Sequence, residues 1–107
     1  MTNYSELIDR YLAGPETLRS AVRGLSREQL QARPVPGKWS TLEVLCHLAD
    51  FEPILAERMK RIIAEDRPQL LGANETRFAA ALAYDQRDPE EELALIERTR
   101  AQMALML

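Results

Sequence analysis

Histidine, cysteine and tryptophan occur once each in these 107 residues, glycine occurs four times, and aromatic residues make up only 6%. A single cysteine cannot close an internal disulfide, which excludes a cross-linked secreted scaffold and points to a reducing, cytoplasmic setting. With one histidine and no G-x-S-x-G context around Ser5, Ser20, Ser26 or Ser40, a Ser-His-Asp triad has no support. The chain has no phosphate-cradling glycine loop and no dinucleotide fingerprint. Basic excess is missing as well. Fourteen Lys and Arg face seventeen acids, the net charge is −3, and the signs are interleaved, so nucleic acid is not an expected partner. No apolar run approaches the roughly 18 residues that would span a bilayer, and MTNYSELIDR carries acids where a secretory leader needs a positive start. No membrane association is expected.

Strand signals are absent too, since no β-branched stretch alternates at period two. What remains is helical periodicity, at an apolar share of 46% and a charged share of 29%. Leu7, Tyr11, Leu18, Val22 and Leu25 step by threes and fours, which predicts one helix over Asn3–Arg23, kinked at Pro15. Ser26 can cap a short turn, SREQL, and RPVPGK then makes a rigid connection. Ser40 with Glu43 three residues on is a capping box, opening a long helix over Thr41–Asp66. Its expected apolar stripe is Leu45, Leu48, Leu55, Met59 and Ile62, with a kink at Pro53. Asn74 would cap a short helix over Glu75–Ala83, placing Phe78, Ala79 and Leu82 against the rest. Asp88-Pro89 followed by three glutamates opens the last helix, whose apolar face runs through Leu93, Ile96 and Met103 to Leu107. The expectation is one all-α domain over 1–107, with three long helices and one short one, antiparallel where connections are short. An apolar face continuing through Met103, Met106 and Leu107 implies a further partner surface, with a homodimer as the default.

The segment GKWSTLEVLCHLAD holds all three singletons. Glu43, His47 and Asp50 share one helical face at i, i+4 and i+7, and imidazole with carboxylates is a ligand set for divalent metals. Against this, the capping box already accounts for Glu43, Asp50 can point at solvent, and one helix cannot wrap a cation alone. Local spacing therefore favours His47 as a core residue over a ligand and leaves both readings open. Cys46 points about 100° away from His47 and reads as a buried small hydrophobe rather than a nucleophile. Trp39 reads as a lid over the helix start, with the mouth of a pocket as its other reading. The charge clusters ERMKR and ERTR read as solvated faces with i, i+4 partners.

The succession GLSREQL, RPVPGKWS and LEVLCHLAD resembles the DinB-like superfamily, with its YfiT-type metal-dependent hydrolases and bacillithiol-type thiol transferases. The likeness runs on through ERMKRIIAEDRPQL, RFAAALAYDQRD and PEEELALIERTRAQ, essentially the whole chain. It implies an up-down four-helix bundle holding a divalent metal, zinc or nickel first, on three histidines. His47 matches one of them. The other two belong to an H-x-x-x-H helix that has no counterpart here, so the resemblance implies a C-terminally incomplete domain with an incomplete metal site. Asp50 and Glu43 would then orient the ligand or accept a proton, in hydrolysis or transfer of a low-molecular-weight thiol to a small-molecule substrate. The alternative is a non-catalytic helical dimerisation or interaction module built on the same fold.

Overall fold

Side-chain caps fix where the helices begin. The computed structural model describes residues 4–107, in five α-helices and one 3-10 turn. These are α1 Tyr4–Val22, α2 Arg27–Gln31, α3 Thr41–Ala64, α4 Glu75–Ala81, the turn Tyr84–Gln86, and α5 Pro89–Ala104. Asn3, the expected first helical residue, lies outside the described residues. Ser40 Oγ accepts the Glu43 N–H at 3.1 Å while Glu43 Oε1 accepts the Ser40 N–H at 3.0 Å, so two N–H donors at the start of α3 are satisfied reciprocally. Ser26 and Gln29 do the same for α2 at 3.1 and 2.8 Å. Asn74 and Asp88 accept from Arg77 and Glu90 at the starts of α4 and α5.

Three long helices and no strand among the described residues bear out the all-α expectation. Both α1 and α3 run through their prolines, Pro15 buried and Pro53 exposed. Two ends differ from expectation. The short helix stops at Ala81, because Ala83 adopts a left-handed φ of 54° that cannot continue it. The long helix stops at Ala64, and Arg67, also left-handed at φ 50°, turns the chain away.

α5 packs against both α3 and α1, while α2, α4 and the 3-10 turn gather around α3. One core cluster joins Leu45 and Ala49 of α3 to Leu93 and Ile96 of α5, with Leu18 and Val22 of α1 against it. The other joins Leu30, Leu42, Cys46 and Tyr84, flanked by Phe78 and Ala79. α3 therefore buries only the first part of the face that large-residue spacing suggested: Leu45 is in the core and Leu48 packs against it, but the later members do not follow. Leu42, Leu45, Cys46, Ala49, Glu52 and Ala56 are buried, whereas Leu55 and Ile62 are 46% and 59% exposed. The small side chain Ala49 packs against Leu93 and Ile96 of α5, and the large side chains beyond it are left on the flank. Leu7 and Leu25 of the α1 stripe are likewise exposed. Arg19 ties α1 to α5 through Glu90 and Glu97. No helix among the described residues is long and apolar enough to cross a membrane.

Candidate functional site

His47 lies in the second turn of α3, and the capping box two helical turns across fixes the rotation of that helix. The imidazole is boxed by aromatic rings, Trp39 with its centroid at 5.2 Å and Phe51 at 4.8 Å, and Phe78 of α4 stands 5.5 Å from Phe51. Trp39, 36% exposed, thus closes the side of His47 rather than burying itself in the core. α4 brings Glu75 across, placing its Oε2 3.7 Å from His47 Nε2, beyond hydrogen-bonding distance. The other ring nitrogen, Nδ1, is buried and has no hydrogen-bond partner. A buried ring nitrogen without a partner is uncommon.

The carboxylates that share the helical face with His47 are engaged elsewhere. Glu43 closes the capping box and takes Arg33 at 2.8 Å. Asp50 does not point at solvent. Arg87 holds it in a bidentate pair at 2.7 and 3.1 Å and grips Glu92 at 2.6 and 2.9 Å. Glu92, and then Asp50, push the Arg87 pKa upward, so the cation is permanent. Neither Glu43 nor Asp50 hydrogen-bonds His47. The residues that do meet the ring and that spacing did not identify are Glu75 and Phe51. Phe51 sits one turn on from His47 and could have been found by its i+4 position. Glu75 could not, because only the return of α4 over α3 brings it near.

Cys46 faces the opposite way, into the core, with Sγ 3.6 Å from the Tyr84 carbonyl. Burial pushes its thiol from the ordinary 9.0 up to about 11. A thiol held neutral in the fold stabilises it fully below pH 9.0 and loses that contribution as pH rises through about 11, where the unfolded chain has already ionised. Cys46 is therefore expected to resist alkylation by iodoacetamide at pH 8 in the native protein and to react at once in denaturant. Equal rates in the two conditions would contradict its placement.

Among the described residues no group of three or more His, Cys, Asp or Glu side chains converges as a metal-ligand cluster. A protein site for zinc or a similar ion needs three or four such donors. One imidazole and one carboxylate at 3.7 Å make a partial donor set, so the described residues do not form a complete metal site.

Comparison with known proteins places this geometry in context. A family model described as the DinB superfamily matches residues 10–107. A protein of Geobacillus thermodenitrificans named "Putative metal-dependent hydrolase" is 32% identical over 93 residues, covering 87% of this chain and 52% of the relative. Similarly named proteins of Bacillus licheniformis and Geobacillus kaustophilus are 30% and 32% identical, with 86% and 87% of this chain and 52% of each relative covered. The chain thus spans about half the length of the curated relatives it matches. The solved structure of YfiT from Bacillus subtilis, described as a probable metal-dependent hydrolase with an unusual four-helix bundle topology, superimposes with a TM-score of 0.91. It is 22% identical, and the match covers 99% of this chain and 62% of YfiT.

Proposed function

This chain belongs to the DinB superfamily, and we propose that it acts within a metal-dependent hydrolase or low-molecular-weight thiol transferase of that type, His47 being the one imidazole it gives to a divalent-metal centre. Zinc and nickel are among the ions that an imidazole ligand suits. The substrate is a small molecule and the setting cytoplasmic. The observation that carries the reading is the unpartnered, buried Nδ1 of His47 inside its Trp39–Phe51 box. A core histidine would be expected to bond through that nitrogen. The metal-dependent names of the curated relatives support the same reading. The described residues supply too few donors to close the centre, so the remaining ligands come from outside this set. Asp50, through Arg87, and Glu43, through the capping box, hold α3 and its neighbours in position around His47.

Metal uptake by untagged protein separates this reading from an interaction module that binds no metal. Equilibrium dialysis against Zn²⁺ or Ni²⁺ is expected to show one weak site per chain, with the His47 ring nitrogens shifting in ¹⁵N spectra. His47→Ala should weaken uptake by at least about tenfold. Equal uptake by the variant, or ring nitrogens that ignore the metal, would remove His47 from the centre.

A further inference from the structure

Several anchors bring Glu75 to the His47 ring. Arg67, at its left-handed φ of 50°, turns the chain back after α3, and Arg58 of α3 donates to the Leu71 carbonyl at 2.7 Å, tying the returning segment down. Asn74 then starts α4 by accepting the Arg77 N–H at 3.0 Å. Phe78, three residues on from Glu75 and so on the same face of α4, sets its ring 5.5 Å from Phe51 of α3. The face of α4 that carries Glu75 is thereby held against the part of α3 that carries His47. An acid in the first turn suits the dipole of α4, but that accounts for its charge and not for its direction. Among the described residues its carboxylate accepts no hydrogen bond and pairs with no Lys or Arg.

We propose that Glu75 is a second protein ligand of the divalent ion for which His47 is the first, so that α3 and α4 each give one donor. This role rests on the metal reading of His47 given above. The separation of the two groups carries it. Glu75 Oε2 stands 3.7 Å from His47 Nε2, too far for a hydrogen bond. Zinc holds imidazole nitrogen at about 2.0–2.1 Å and carboxylate oxygen at about 2.0–2.2 Å in a tetrahedron, which sets two such donors about 3.4 Å apart. The pair is therefore spaced close to one edge of a coordination tetrahedron. Nδ1 is enclosed, so Nε2 is the nitrogen left to face an ion, and the rings of Trp39 and Phe51 fix the plane that aims it at α4. Glu43 and Asp50 differ on this point, since Arg33 and Arg87 already hold them. Two donors leave the other coordination positions to further ligands or water.

Trp39, the chain's only tryptophan, stands 5.2 Å from the His47 ring and reports on the site. Titration of the whole untagged chain with Ni²⁺, a paramagnetic quencher, is expected to lower Trp39 emission with saturation, and His47→Ala should remove the saturable phase. Glu75→Gln should keep that phase and move its midpoint at least about tenfold to higher Ni²⁺, because losing even a partner of a ligand costs about 10–100-fold in metal affinity. Glu75→Asp keeps the charge but withdraws the carboxylate by one methylene, and should move the midpoint nearly as far. Glu57→Gln, which removes an acid of similar exposure further along α3, should not move it. With ¹³C-labelled glutamate, Zn²⁺ should shift the Glu75 carboxyl resonance, identified by its absence from Glu75→Gln. Circular dichroism confirms that each variant keeps its helices. A Glu75→Gln chain that titrates like the wild type, in a quench that still requires His47, would overturn the role of Glu75 and leave the metal reading standing. Wild-type affinity in Glu75→Asp beside a weakened Glu75→Gln would also overturn it, reducing Glu75 to a source of negative field. A quench that never depends on His47 would overturn both.

Discussion

Arg100→Ala is expected to destabilise the fold by about 3–5 kcal/mol and to lower the melting midpoint by at least about 12 °C. Glu52 is the reason. It is buried on the α3 face that meets α5, 5% exposed, and Arg100 donates to its two carboxylate oxygens at 2.7 and 3.3 Å. The same guanidinium donates to the Tyr11 carbonyl at 2.8 Å and lies 4.6 Å over the Tyr11 ring, so one side chain of α5 fastens both α1 and α3. Removing the cation leaves Glu52 charged and unpaired in the interior, which costs far more than the pair itself contributes. The room for this cation comes from Gly14, where a Cβ would overlap the guanidinium. That explains a glycine in mid-helix despite its cost of about 1 kcal/mol against alanine. Equilibrium urea denaturation measures the effect. If the penalty arises from the stranded charge, Glu52→Leu combined with Arg100→Met should recover most of it, since an apolar pair of similar volume is tolerated there. A loss below about 1 kcal/mol in Arg100→Ala would show that the pair does not hold the helices.

The sequence made some of this legible and hid the rest, for a physical reason. Caps are local chemistry, so Ser40 with Glu43, Asn74, and Asp88 before Pro89 could be read from spacing, and each is present. The ion pairs are not local. ERTR read as a solvated face with i, i+4 partners, but its Arg100 binds Glu52, 48 residues away. ERMKR kept one such partnership, Arg61 with Glu57. On α3 the spacing of large residues marks the core at Leu45 and Leu48 but not beyond, because the buried positions that follow are the small Ala49 and Ala56 while Leu55 and Ile62 stand on the flank. At the site, family likeness identified His47, and spacing grouped it with Glu43 and Asp50. Only the tertiary path of α4 put Glu75 at the ring and gave Asp50 to Arg87.

Arg87→Ala should produce a loss of similar size, about 3–5 kcal/mol, because it strands two carboxylates at once. Arg87 leads out of the 3-10 turn into α5, and its guanidinium bridges Asp50 on α3 to Glu92 on α5, with side chains 14% and 11% exposed. Without it the two acids are left partly buried with no cation between them. The penalty is that of two carboxylates left without the cation they share, and equilibrium urea denaturation measures it. Asp50→Asn should cost less than Arg87→Ala, since Arg87 keeps Glu92 and only one bidentate arm is lost. This ordering tests the role of Asp50. A carboxylate that serves as the strut between α3 and α5 moves stability strongly and metal uptake at His47 little. A carboxylate that assists the ring directly would do the reverse. Urea midpoints and dialysis on the same two variants distinguish these outcomes, and a stable Asp50→Asn that loses metal would return Asp50 to the site.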